Sequence, residues 1–323
     1  MLMKIRRLFS VFVFLGILFF ANSFANAAVQ VQSSANTPVM GDYIVSPGKV
    51  ELVLEPGQSV TRNIVIVNRL GSEKNFQLGL EDIKGTIDPN NLVQFMGPEK
   101  GPYSLKDFIR PEETSFTLRQ GDSITIPVTI SIPTSIPPGG LYGSVIVSVQ
   151  GNAGNGAADA STANGKINVK TRIAVLYFVR IKGNASESGF LKNFTTDHGL
   201  NTNGPVQISY AYQNDGNVYE NPYGYIEIKN LFGAVVDKFA VEPYYVLPDS
   251  VRTNKISWDH GLMFGRYKAT LFLNRGYGNQ IDQKSVYFWA LPLVIIVPVL
   301  LGLVLLAVFC VWIIKNYRRK KQL

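Results

Sequence analysis

Residues 167–182 read Ile-Asn-Val-Lys-Thr-Arg-Ile-Ala-Val-Leu-Tyr-Phe-Val-Arg-Ile-Lys. Ile167, Val169, Thr171, Ile173, Val175, Tyr177, Val179 and Ile181 alternate with Asn168, Lys170, Arg172 and, farther on, Arg180 and Lys182. A period of two turns one face to a core and the other to water, which marks a β-strand. The middle of the run departs from this pattern. Ala174, Leu176 and Phe178 make it apolar on both faces, so the strand is predicted to be central in its sheet or covered on its outer side.

The same period recurs outward from this run. Ile124, Ile126, Val128, Ile130 and Ile132 follow it, as do Val206, Ile208, Tyr210 and Tyr212, and then Tyr267, Ala269, Leu271 and Leu273. No long stretch has a 3.6-residue apolar repeat. Turn chemistry separates the strands: Glu55-Pro56-Gly57-Gln58 suits a type II turn, and Gln120-Gly121-Asp122 and Asn214-Asp215-Gly216-Asn217 supply residues that accept positive φ. Pro137-Pro138-Gly139-Gly140 is expected to break regular structure. Gly151–Gly165, made of small and polar residues, reads as a flexible hairpin loop between strands. Short strands with turns at this spacing predict an all-β chain of two antiparallel β-sandwich domains. The boundary is set near Gly183–Gly189, giving domains over 42–187 and 188–286, with 28–41 as a short linker.

Each terminus carries a membrane signal. Lys4–Arg7 form a basic n-region, Leu8 to about Ala21 an apolar h-region, and Ala25-Asn26-Ala27 a small-residue cleavage site, so 1–27 reads as a secretory signal peptide. Residues 288–314 carry no charge and are long enough to span a bilayer as a transmembrane helix, with Trp289 and Trp312 near its ends. A basic tail, 315–323, follows. Lys315, Arg318, Arg319, Lys320 and Lys321 are the topology signal that holds this end in the cytoplasm. The expected layout is a single-pass type I protein of the cytoplasmic membrane, its domains extracytoplasmic.

These ends also account for the charge. The chain has 31 basic and 23 acidic residues, a net +8. Lys4, Arg6 and Arg7 at one end and the five basic residues of the other make up the whole excess, and each domain carries equal numbers of both signs. That leaves no basic face for nucleic acid. With 46% hydrophobic and 17% charged residues the chain is not disordered. Its single cysteine, Cys310, excludes a disulfide framework and a cysteine-rich zinc site.

Catalytic chemistry finds little support, and no enzyme activity, cofactor or metal is predicted. His198 and His260 lie far apart with no metalloprotease spacing, and Gly57-Gln58-Ser59-Val60-Thr61 lacks the second glycine of a nucleophile elbow. The adjacent acids Glu81/Asp82 and Glu112/Glu113 point to opposite faces of a strand, so neither pair can share a proton locally. Asn184-Ala185-Ser186 and Asn193-Phe194-Thr195 match the glycosylation sequon, which matters only where that machinery exists. Tyrosine is the residue type that stands out. Tyr210 and Tyr212 belong to a core face. Tyr219, Tyr223, Tyr225, Tyr244 and Tyr245 sit beside Asn, Pro and Gly, and are the candidate ligand contacts, since an apolar ring with a polar hydroxyl suits protein or sugar surfaces.

Three groups of motifs look familiar. Val45-Ser46-Pro47-Gly48, Leu54-Glu55-Pro56-Gly57-Gln58-Ser59 and Val65-Ile66-Val67-Asn68 open the first domain, and Pro137-Pro138-Gly139-Gly140-Leu141-Tyr142-Gly143 precedes its last strands. Asn214–Val218, Pro222–Ile228, Asn230–Gly233, Val246–Arg252 and Gly265-Arg266-Tyr267 mark the second. Together they resemble the two Ig-like domains of WxL-interacting bacterial cell-surface proteins and, more distantly, the PapD-like sandwich of pilus chaperones. The resemblance covers nearly the whole chain and implies Ig-like sandwiches, the first contacting peptidoglycan and the second a WxL-type surface protein. The function expected is membrane-anchored binding or attachment, with a surface protein taken by strand addition to a sheet edge. A structural spacer or assembly scaffold in the envelope is the alternative, and an envelope enzyme with an unfamiliar site is the third reading.

Overall fold

The computed structural model describes residues 28–34, 36–88, 91–150, 171–202, 204–259 and 264–320. The signal segment through Ala27, the Gly151–Gly165 loop, His260 and Lys321 lie outside them.

The chain is all-β with one C-terminal helix. Among the described residues, eleven strands precede residue 182: β1 (Gln30–Ser33), β2 (Asp42–Ser46), β3 (Lys49–Leu54), β4 (Ser59–Arg69), β5 (Lys74–Lys84), β6 (Gln94–Phe95), β7 (Ile109–Pro111), β8 (Ser115–Leu118), β9 (Asp122–Ser131), β10 (Gly139–Val149) and β11 (Arg172–Ile181). One sheet has the order β1-β9-β4-β2, with β7 also on β9; the other runs β3-β11-β10-β5-β6, with β8 also on β5. Their inner faces enclose a core that includes Ile64, Ile66, Ile126, Val145, Val175 and Tyr177. The chain changes sheet at Pro47: β2 pairs antiparallel with β4, whereas β3 pairs parallel with β11. The antiparallel expectation therefore needs this exception, and β11 gains a neighbour on each side, making it central. The expected linker is corrected too, because Gln30–Ser33 pair with Asp122–Thr125 and form a strand of the first sandwich.

Eight further strands follow: β12 (Gly189–Thr196), β13 (Leu200–Asn201), β14 (Val206–Asn214), β15 (Tyr223–Lys229), β16 (Val235–Val241), β17 (Ser250–Trp258), β18 (Gly265–Asn274) and β19 (Ile281–Ala290). A three-stranded sheet β12-β14-β17 faces a five-stranded sheet β13-β19-β18-β15-β16. Tyr212, Trp258, Leu271 and Phe288 lie in the core between them. Here too one pairing, β13 with β19, is parallel.

The helix, α1 (Leu293–Lys320), starts five residues later than the uncharged run suggests. Phe288 is the reason: it is 1% exposed in the second core, as part of β19. Absence of charge marks what a membrane tolerates, but Tyr287-Phe288-Trp289 still alternate as a strand. Pro292 precedes the helix and its carbonyl accepts the Ile296 N–H at 3.1 Å. Ile296–Ile313 is long and apolar enough to cross a membrane, and Lys315, Arg318, Arg319 and Lys320 continue the helix instead of forming a separate tail.

Turn chemistry behaves largely as read. Gly57 takes φ +82°, and Gln58 N–H donates to Glu55 O at 3.0 Å. Both sandwiches share a less visible device. Asn68, fully buried near the end of β4, donates to Ser72 O and Leu118 O and accepts from Leu70 N–H. Asn214, fully buried at the end of β14, donates to Val218 O and Val246 O and accepts from Gly216 N–H. Each amide satisfies backbone groups that leave the strand ladder, in a place water does not reach. Replacing Asn68 by Ala strands these partners, so urea denaturation of Asn68→Ala is expected to show a loss of about 2–4 kcal/mol. An unchanged midpoint would mean that these hydrogen bonds carry no net stability.

Candidate functional site

The run at Ala174–Phe178, apolar on both faces, has its explanation where the two sandwiches meet. On β11 the inward residues are Val175, Tyr177, Val179 and Ile181; Phe178 points outward and pairs across the sheet with Tyr142 of β10. These two rings would otherwise be an aromatic patch on an outer sheet face. Instead Tyr142 and Phe178 are buried with Ile83 and with Leu247 of the second sandwich, and Tyr219 and Tyr245 pack against them. Tyr219 lies 5.4 Å from Phe178 and 6.4 Å from Tyr142 between ring centroids, and Tyr245 meets Phe178 edge-on at 4.9 Å. Edge-on and tilted contacts set the positive edge of one ring against the negative face of another. The Lys49 ammonium completes the cluster, 5.1 Å from the Tyr245 ring and 5.7 Å from Phe178.

A polar strap runs alongside. Gly140 N–H donates to Asn217 O at 2.7 Å, and the Asn217 side chain accepts from Ser186 N–H at 2.9 Å. Pro137-Pro138-Gly139-Gly140 is thus more than a breaker: Gly139 and Gly140 open β10, and the bare Cα of Gly139 lets Asn217 approach. A Cβ on Gly140 would collide with the Tyr142 ring. The Tyr103 hydroxyl donates to Asp249 at 3.0 Å across the same boundary; burial and the neighbouring carboxylate push its pKa up to about 12.

Beside the cluster lies a shallow cleft of about 10 Å³, lined by Thr86, Asp88, Asn91 and Leu92 from the first sandwich and by Tyr245–Leu247 and Ser250–Thr253 from the second. It holds about one water and no sugar ring. Arg252 forms one wall, its guanidinium 4.6 Å from the Tyr245 ring and 5.4 Å from Tyr244, donating to Tyr245 O at 2.6 Å. From here β17 runs out along the margin of the second sandwich. It pairs with β14 from Ser250 to Trp258, and among the described residues no strand pairs with its other edge.

The five candidate tyrosines therefore divide. Tyr219 and Tyr245 come together at this junction, whereas Tyr244 packs against the second sandwich's own core, 6.2 Å from Tyr210 between ring centroids. Tyr223 and Tyr225 lie on β15 in the other sheet of the second sandwich, Tyr223 exposed and Tyr225 stacked on Phe272 with the Lys238 ammonium 3.9 Å from its ring. Tyr210 and Tyr212 are in the core, as the alternation predicts. Tyr142, Phe178, Asn217 and Leu247 were not among the candidates; the two-faced middle of β11 was the available signal. The acidic pairs serve structure. Asp82 is fully buried and accepts N–H bonds from Gly101, Leu105 and Lys106, while its neighbour Glu81 turns to Arg172 and Gly97 N–H.

Glu220 is a buried acid that the sequence did not suggest. Its backbone bridges to Val246 beside the junction, and its carboxylate accepts from the Tyr212 hydroxyl at 2.6 Å. Burial pushes its pKa up to about 7, helped by Glu187 and opposed by Tyr212 and Arg275. The folded chain then holds a proton that the unfolded chain, near the ordinary glutamate value of 4.5, has lost. Stability from this group is complete below the unfolded value and drains away as pH rises through about 7. Thermal melts between pH 5 and 8 are expected to fall by a few degrees, and Glu220→Gln to flatten that slope. Equal slopes in both proteins would remove Glu220 as the cause.

No protein-family model matches the sequence, and no curated protein does. Among solved structures, the chain is similar to one from the chaperone–tip adhesin complex of CFA/I fimbriae biogenesis (13% identity over 78% of this chain and 99% of that one, TM-score 0.37). It is also similar to the class 5 fimbriae chaperone CfaA (13%, 76% and 99%, TM-score 0.36) and to the chaperone YadV (12%, 76% and 100%, TM-score 0.36). At this distance the architecture rests on the strand pairings of the chain itself.

Proposed function

We propose that this is a membrane-held binding protein that presents two mutually fixed β-sandwiches outside the cytoplasmic membrane and takes an extended segment of a surface protein by strand addition. The observation that carries the reading is the β17 edge from Ser250 to Ser257, which pairs with β14 on one side, has no strand among the described residues on the other, and begins at the interdomain cleft. An open edge offers a row of N–H and C=O groups that an incoming strand can satisfy. Arg252 and Lys255 keep it from pairing at random, since charges on an edge oppose self-association. A protein is favoured over a glycan because Tyr219 and Tyr245 are committed to the junction and Tyr244 to the second core, and peptidoglycan contact by the first sandwich has only the family resemblance behind it. The role is binding and not catalysis, the acids Glu81, Asp82 and Glu220 being engaged in structural hydrogen bonds.

The alternative, an assembly scaffold, is favoured by one observation. The junction fixes the orientation of the sandwiches, as a spacer requires. The two readings differ at the edge. A photo-reactive residue at Lys255, in the full chain in native membranes, is expected to give a discrete protein adduct. In the same preparation amide exchange over Ser250–Trp258 should slow. An adduct without slowed exchange would point to side-chain contact instead of strand addition, and no adduct would favour the scaffold.

A further inference from the structure

The end of the second sandwich from which the helix leaves is apolar, and it is close to where a bilayer must begin. Ala290, the last residue of β19, lies opposite Gly265 of β18 and Asn201 of β13. Only Leu291 and Pro292 separate it from Leu293, the first residue of α1. At about 3.5 Å per extended residue and 1.5 Å per helical residue, the apolar window that starts at Ile296 begins within about 15 Å of the sandwich. Headgroups fill much of that space.

Register places other residues at the same level. Lys229 of β15 pairs with Lys268 of β18, which pairs with Tyr287 of β19. The β15–β16 turn projects two to three residues farther, to the level of Trp289 and Ala290. At its tip Leu231 is 63% exposed and Phe232 91% exposed. The turn is held in shape: Asn230 Oδ1 accepts from Phe232 N–H and Ala234 N–H, and Asn230 O from Gly233 N–H, each at 3.0 Å. Phe264, 71% exposed, precedes Gly265, while Leu200 and Trp289 are exposed side by side in the β13–β19 pairing. A phenylalanine so exposed on a rigid turn adds nothing to either core, and clustered exposed apolar groups mark an interaction surface.

We propose that this end of the second sandwich is seated in the headgroup layer of the membrane that α1 crosses, with Leu231, Phe232 and Phe264 as shallow apolar anchors. The proposal rests on reading α1 as a membrane span, and it adds a second contact that sets the tilt of the sandwiches. Lys229, Arg266 and Lys268 share this end with Asp197 and Asp259, so the seat is apolar and needs no anionic lipid. Aromatic side chains favour this depth, where a ring meets both acyl chain and water.

The test uses the full chain with Cys310→Ser in phosphatidylcholine nanodiscs, carrying an environment-sensitive dye on Phe232→Cys or Phe264→Cys. Ile87→Cys, 76% exposed in the first sandwich, and Phe309→Cys, within α1, are the references. Headgroup spin-labelled lipid is expected to quench the dye at 232 and 264 about twofold and leave position 87 unchanged. Dye at 232 and 264 behaving as at 87, while 309 is quenched by chain-labelled lipid, overturns the proposal. A blue-shifted but unquenched dye at 232 also overturns it, since a protein would then cover the turn. If 309 is unquenched as well, the membrane span itself fails and the seat with it.

Discussion

Two large rings on the wrong side of a sheet organise this molecule. Tyr142 and Phe178 face away from the core of their own sandwich, opposite one another on β10 and β11. Left in water, each would forfeit about 1.5–3 kcal/mol of burial. The second sandwich covers them with Leu247, Tyr219 and Tyr245, and edge-on contacts add about 0.5–1.5 kcal/mol per aromatic pair. Everything at the junction follows from that need. Gly139 lets Asn217 approach, Gly140 leaves room for the Tyr142 ring, Asn217 closes the strap, and the loop before β17 is drawn against the first sandwich so that the edge of β17 starts at the cleft.

Strand character was legible because it is local. A period of two in Ile124–Ile132 or Val206–Tyr212 survives whatever the neighbours do, and both became strands, β9 and β14. The two-faced run at Ala174–Phe178 was also legible as covered or central, and it is both. What covered it was not legible, since the partner residues Tyr219, Tyr245 and Leu247 lie in loops without period. Their placement beside Asn, Pro and Gly reads as exposure when no second body is in view. The same limit applies to β3, whose parallel partner is settled only by the change of sheet at Pro47, and to Phe288, where lack of charge and strand alternation gave competing signals.

Buried polar groups show the reverse case, where local residue type misleads. Asn214-Asp215-Gly216-Asn217 has the composition of an exposed turn, yet Asn214 is fully buried and Asn217 bonds across the junction to Gly140 and to Ser186. Asp82 sits in an acidic pair that suggests a charged surface, and it organises a loop through three backbone N–H groups. In each instance the side chain replaces a strand partner for backbone groups that water cannot reach. The neutral charge of the region between the two termini leaves no net field to steer a charged partner over long range.

The aromatic junction is expected to hold the two sandwiches as one rigid body. Spin labels on Glu113→Cys in the first sandwich and Lys284→Cys in the second, with Cys310→Ser in the full chain, report the distance between them by double electron–electron resonance. A single narrow distance distribution is the predicted result, broadening when Phe178 is replaced by Ala. A broad or multiple distribution in the parent chain would contradict the claim, because the aromatic cluster would then not hold the sandwiches together in solution.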